Sequence, residues 1–389
     1  MIPHRRTLQR EPVTFIAYAT AAYFTLVLNV IGPALPHLRA ELGLRYAEAA
    51  LHTSAFALGM MLCGLFGERV VRATGRRAAV WVGAVGMAAG LTLVAFAPTA
   101  PISIAGCALM GLVGTLQLVV MPAVISERHG DSRVIAFSEQ NILAMTGALI
   151  APLAVAAAVA AGTWRIAGVV GWIGVIAMAL LFLRVEFPAA PAPPAKGEAT
   201  LPARYWALWS LLLLTVATEF CMMVWGPSYL EAVLGLPRHL AIVAGAAFPL
   251  GMVLGRGAGI VLLRRFPEDR FVVPSIALAF CGFLLFWKAP TALLALAGLL
   301  VAGLGIANLY PCGIALALAA AGRATTAAAA RASLGAGFAI LSAPLALGAL
   351  ADTVGLAQAY AVVPFLLAAA VVAFTLSRRP AAAAPAKAG

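Results

Sequence analysis

Charge is what this 389-residue chain has least of. Only 10% of its residues are Asp, Glu, Lys or Arg, and only 14 are acidic. A soluble domain spends about 25% of its sequence on charge to cover its surface, so this chain is not built for water. Clustered reactive side chains are also missing. Its five histidines and five cysteines (Cys63, Cys107, Cys221, Cys281 and Cys312) are scattered, and the cysteines sit inside apolar stretches with no metal-ligand spacing. They read as small packing residues. Without a set of nucleophile, base or metal ligands the chain is not expected to be an enzyme, and no metal or cofactor is implied. A phosphate-binding G-x-x-x-x-G-K-[ST] loop is absent, which argues against ATP drive. A cleavable leader is not expected: the apolar run after the basic residues 1–12 is too long and lacks a small-residue cleavage site.

What is present is apolar length. Apolar residues make up 63% of the chain, and its mean hydropathy is +1.01. Runs of 18 or more apolar residues, each able to cross a hydrocarbon core of about 30 Å, recur throughout. Twelve membrane helices are predicted, near 13–35, 47–68, 78–97, 102–125, 134–160, 164–184, 205–229, 239–263, 271–287, 291–320, 325–350 and 358–377. The net charge of +12 is distributed unevenly between the loops. One side holds only Arg39, Arg45, Arg165, Arg238 and Lys288, while lysine and arginine crowd the other. That bias is a topology signal, not a sign of a nucleic-acid partner, and it puts both termini in the cytoplasm. Heavy use of Ala, Gly and Arg points to a GC-rich bacterium, hence its inner membrane, with the lipid bilayer as partner and a monomer as the simplest state.

The sequence also repeats itself. Phe56–Arg77 recurs 192 positions later as Phe248–Asp269, with Phe56/Phe248, Leu58/Leu250, Gly59/Gly251, Met60/Met252, Leu62/Leu254 and Arg72/Arg264 matching. The same offset aligns Leu42-Gly43-Leu44 with Leu234-Gly235-Leu236. It also aligns Ala97-Pro98-Thr99-Ala100 with Ala289-Pro290-Thr291-Ala292, and Ala151-Pro152-Leu153-Ala154 with Ala343-Pro344-Leu345-Ala346. Repeats of this size in a membrane protein point to a transporter made of two similar halves. The expected division is a cytoplasmic N-terminus (1–12), a six-helix bundle (13–184), a proline-rich linker (185–204), a second six-helix bundle (205–377) and a tail (378–389). Helices 1 and 7 are expected to end near Gly32-Pro33 and Gly226-Pro227, as packing kinks or as hinges.

Gly64-x-x-x-Glu68-Arg69 followed by Gly75-Arg76-Arg77 resembles the loop 2–3 signature of the major facilitator superfamily. Two departures stand out: Glu68 replaces the usual Asp, and four extra residues precede the Gly-Arg-Arg. Helix 4 lacks the membrane-embedded arginine of the family's drug antiporters, and Gly147-x-x-x-Ala151-Pro152 only partly matches their helix 5 motif. The resemblance implies an all-α membrane fold of twelve transmembrane helices in two pseudo-symmetric six-helix bundles.

It also implies that helices 1, 4, 7 and 10 line a central cavity. Their polar members, Tyr23, Asn29, Gln117, Glu219, Asn308 and Tyr310, are then the expected substrate-binding residues. Glu219, near mid-membrane, is costly there unless protonated, paired or facing water. It is the candidate proton carrier, or else a counter-charge to a cationic substrate. His52 reads as a hydrogen-bonded packing residue or a proton carrier.

Glu68, Glu139, Arg256 and Arg331 all fall in the cytoplasmic third of helices 2, 5, 8 and 11. The family's helix neighbours would put Glu68 near Arg331 and Glu139 near Arg256, a cytoplasmic gate latched in the outward-open state. The alternative is that each charge is satisfied within its own half. The expected function is a secondary active transporter moving a small organic solute by alternating access, coupled to protons or to another ion. A multidrug or metabolite exporter and a nutrient importer both fit; a channel or membrane receptor is the reading of another class.

Overall fold

In the computed structural model the described residues are 9–129, 133–188, 201–262, 266–322 and 325–378. Most of the expected linker, the expected tail beyond Arg378, the first eight residues and Arg264 lie outside them. No strand occurs among the described residues, and twelve helices are long and apolar enough to cross a membrane. They are α1 (Pro12–Leu42), α2 (Tyr46–Thr74), α3 (Arg76–Phe96), α4 (Ala100–His129), α5 (Arg133–Ala160) and α6 (Trp164–Phe182). The second half comprises α7 (Ala203–Ala232), α8 (Arg238–Gly259), α9 (Glu268–Trp287), α10 (Ala292–Ala320), α11 (Thr325–Val354) and α12 (Leu356–Ser377). The protein is a multi-pass membrane protein. An even number of spans puts both ends of the chain on one face, here called the termini face; the other is the far face.

The 192-residue repeat is visible as backbone geometry. Gly43, which caps α1, and Gly235, in the turn just after α7, both adopt the left-handed region, at φ 65° and 67°, where a glycine pays no side-chain penalty. Thr99 and Thr291 both cap helix starts in extended conformation, at φ −143° and −136°. The last span of each half begins with a short irregular turn and restarts as regular helix at Val170 and Val362. The hydrogen-bond ladder of α4 is interrupted at Thr115, and that of α10 at Ala307–Asn308; Thr115 and Ala307 are repeat mates.

Close helix crossings repeat as well. A Cβ on Gly59 would press on the Ala108 carbonyl, and one on Gly111 on the Phe56 carbonyl, where α2 crosses α4. Gly251 meets Leu300 and Gly303 meets Phe248 in the same way where α8 crosses α10. Small residues let membrane helices approach backbone to backbone, where van der Waals packing supplies the association.

Two helix ends differ from expectation. Neither Gly32-Pro33 nor Gly226-Pro227 ends its helix; α1 runs on to Leu42 and α7 to Ala232. The proline ring removes a hydrogen bond, but protein rather than lipid surrounds both sites. Gly32 lies against the Met223 carbonyl of α7, and Pro227 against Gly245 of α8. Similarly, α2 does not close at Glu68-Arg69 but continues to Thr74, where Gly75 at φ 85° turns the chain into α3.

Candidate functional site: a cavity on the seam between the halves

The halves meet along α2 and α11, α5 and α8, and α1 and α7. Toward the far face this seam is shut. Asp352, at the end of α11, accepts hydrogen bonds from the backbone N–H groups of Tyr46 (2.8 Å) and Ala47 (2.9 Å). A carboxylate from one half thus caps the first turn of a helix in the other, where exposed N–H groups and the helix dipole both favour negative charge. The Tyr46 ring packs edge-on against Trp225 of α7 at 5.5 Å, and Arg39 covers its other face at 3.8 Å. Nearer mid-membrane, Ser54 Oγ donates across the seam to the Leu341 carbonyl at 2.6 Å.

Below this closure Ala57, Val216, Ala217, Ala339 and Ile340 form a buried apolar plug shared by α2, α7 and α11. On the termini side of the plug lies a cavity of about 480 Å³. Its walls are Met60, Met61 and Leu65 of α2, Leu118 and Val119 of α4, and Leu334 of α11, joined by Thr115, Tyr310 and Ser333. Thr115 is only 5% exposed and its Oγ1 has no partner. The cavity therefore lies beside the interrupted turns of both α4 and α10.

Glu219 on α7 stands within the electrostatic reach of Arg256 on α8 and Tyr310 on α10. Arg256 does not meet the carboxylate directly. Its Nε donates to the Ala307 carbonyl at 3.3 Å, at the interruption of α10.

The other expected cavity residues go elsewhere. Tyr23 turns into its own half and donates to the Ala84 carbonyl at 2.8 Å. Gln117 packs on Gly83 of α3, fully buried, with both amide atoms unpartnered. Asn308 donates to the Gly255 carbonyl at 2.7 Å, tying α10 to α8. Asn29 lines a separate space of about 40 Å³ between α1, α5, α7 and α8. His52 is fully buried, bonded to the Ala49 carbonyl and to Ser103 Oγ at 2.7 Å, which pins α2 to α4. Four of the five cysteines are buried and Cys281 is exposed; all are free.

The expected gate pairs are not formed in this structure. Glu139 is held instead by Arg10 from the segment before α1 (3.0 Å to Nε) and by the Tyr18 hydroxyl (2.9 Å). Glu68 pairs within its own helix with Arg72 at 3.6 Å. Arg331 lies over the Trp206 ring at 5.6 Å. The physical reason is that α2 and α11 flank the cavity here and both charges lie at accessible surface: Glu68 is 65% exposed and Arg331 is exposed as well.

The Gly-Arg-Arg motif is tied inside the first half. Arg76, 7% exposed, makes a two-pronged bond to Glu127 (2.7 Å each) and a third to the Pro188 carbonyl at 3.1 Å. Arg77 donates to the Leu183 carbonyl. Arg69 lies over Phe66 at 5.9 Å, and Gly64 lines the cavity with open space where a Cβ would be.

A family model described as Major Facilitator Superfamily matches residues 14–334. The chain belongs to the major facilitator superfamily. Its fold is that of solved members. A bacterial homolog of the human lysosomal transporter Spinster, crystallised inward-facing and unoccupied, superposes with a TM-score of 0.73 at 15% identity, covering 95% of this chain and 98% of that one. The D-xylose-proton symporter gives 0.74 at 15% identity over 95% and 97%. The nucleoside transporter NupG gives 0.73 at 14% identity over 95% and 99%. No curated protein matches the sequence significantly. As a superfamily member the protein is a secondary transporter of small solutes.

Sequence reasoning missed Asp352, Arg10 and Thr115. Asp352 and Thr115 leave no pattern to find, because one binds backbone and the other binds nothing. Arg10 was visible as a charge but not as a partner for Glu139.

Proposed function

We propose that this protein moves a small organic solute across a bacterial inner membrane by proton-coupled alternating access, and that this structure is its inward-open state. The observation that carries the reading is the seam cavity: it is plugged and capped toward the far face, while at the termini face Glu68 and Arg331 on either side of the seam are exposed. The orientation rests on charge, since Arg69, Arg72, Arg76, Arg77, Arg128, Arg184, Arg204, Arg270 and Arg378 lie on the termini face. Positive loops stay in the cytoplasm.

Glu219 is the proton-coupling residue in this reading. A lone carboxylate at mid-membrane is expensive, and Arg256 is the charged group that acts on it. Protonation would remove its charge and its hold on Arg256. In the outward-open state the termini-face ends close, and Glu68–Arg331 and Glu139–Arg256 form the gate, with Glu139 exchanging Arg10 for Arg256. Differences of a few kcal/mol between states suffice for such a switch.

The test is solute uptake into proteoliposomes containing the purified protein. The reading expects flux that saturates, rises when the outside is acidified, and loses its pH dependence in Glu219→Gln. Flux that never saturates would mark a channel. Glu139→Arg should impair flux, and adding Arg256→Glu should restore part of it; no recovery removes that pair from the gate.

A further inference from the structure

The small space between α1, α5, α7 and α8 has a lining that repeats one chemical feature. Four prolines line it, one from each helix: Pro33, Pro152, Pro227 and Pro249. In every case the residue four positions earlier lines the same space, namely Asn29, Ala148, Met223 and Gly245. A proline has no N–H to give the carbonyl one turn before it. Each helix therefore carries, on the surface it turns to this space, a backbone oxygen without its α-helical donor. A Cβ on Gly32 would stand 3.0 Å from the Met223 oxygen, which puts that oxygen at the seam. The helical ladder of α8 is also interrupted at Ala246, directly after Gly245. Membranes tolerate such backbone where it lines a cavity.

Asn29 adds a side-chain acceptor. Its Nδ2 donates to the Thr25 carbonyl at 2.7 Å, so Oδ1 is the free end of the amide. That oxygen keeps open surface, unlike the sealed amide of Gln117. No lining residue is charged. At about 40 Å³ the space is far too small for an organic solute, whose sites run to about 300–1,000 Å³. It exceeds the roughly 10–15 Å³ that one small guest needs. A water has two protons to offer, fewer than the oxygens gathered here. A bare cation faces all of them at once, which is how carbonyl cages take alkali ions from water. Without a carboxylate in the lining, a single positive charge suits the site better than a double one.

We propose that this space is a binding site for a monovalent cation of sodium's size, held by the proline-freed carbonyls and by Asn29 Oδ1. The ligands come from both halves, α1 and α5 on one side and α7 and α8 on the other. A bound ion therefore fastens the seam in the arrangement seen here. The site is separate from the seam cavity and from Glu219, and it stands or falls independently of the solute the protein moves.

Thermal unfolding of the purified full-length protein, with NaCl titrated against choline chloride at constant ionic strength, reads the site without any transport. The melting temperature should rise saturably with Na⁺. Asn29→Leu should raise the half-saturating concentration roughly tenfold, and Asn29→Asp, which adds a negative charge, should lower it. Opposite movements identify a bound cation, because a mere packing defect would weaken both. Pro152→Ala returns an N–H to the Ala148 carbonyl. It should weaken Na⁺ several-fold while leaving the melting temperature in choline no lower than that of wild type. Identical melting in Na⁺ and choline would mean that the space holds only water. A Na⁺ response that Asn29→Leu leaves unchanged would put the ion elsewhere. Either result overturns the proposal.

Discussion

At the residue scale, the polar side chains divide into those that hold the bundles together and those that have nothing to hold. Arg76 belongs to the first kind. Its paired bonds to Glu127, at 2.7 Å each, join the start of α3 to the end of α4. Removing one partner of a well-buried charge pair costs roughly 3–5 kcal/mol, and the 32% exposure of Glu127 brings the expectation toward the low end. Arg76→Ala should therefore lower the melting temperature in detergent clearly more than Arg69→Ala, whose guanidinium only rests on Phe66. Equal shifts would deny Arg76 its fastening role. Thr115 and Gln117 belong to the second kind: both are buried, and their side-chain polar atoms have no partner. The sequence showed which residues were polar inside the membrane but not which way they turned. Tyr23 and Gln117 read as cavity residues, yet both face α3, because a span that is apolar all round gives no clue to the neighbour behind each face.

At the scale of helices and their crossings, far more was legible. The repeat located Gly59 and Gly251 as mates, and the structure shows why: each sits where the backbones of two helices nearly touch. Gly111 and Gly303 complete the same two crossings. Adding a methyl group to a packed contact costs about 1–3 kcal/mol. Gly111→Ala and Gly303→Ala should each destabilise the protein by a comparable amount, whereas Gly64→Ala, with open space at the same offset, should not. Melting curves of the three variants decide it. The ends of α1, α2 and α7 were harder to read. Proline and charge normally stop a helix, but inside a membrane protein a packed neighbour replaces the lost contacts and the helix runs on. The proposed gate pairs were hard for a different reason: in the proposal they form in another conformation than the one present here.

At the scale of the whole molecule, two similar six-helix units press together at the far face, and the cavity lies on the termini side of that closure. Few contacts hold the closed end. Asp352 on the α2 N-terminus is the one charged cap among them, worth about 0.5–2 kcal/mol by comparison with other helix caps. Losing it should shift the balance between open states by roughly two- to thirtyfold. The most direct measurement is a pair of spin-label distances in protein freed of its native cysteines: Arg45 to Thr353 across the far face, and Thr74 to Ala329 across the termini face. Wild type should show a short far-face distance with a long termini-face distance, and Asp352→Asn should populate the reverse, each gap widening as the other narrows. If both distances stay fixed in the variant, or change in the same direction, the two halves do not rock about the cavity and the account fails.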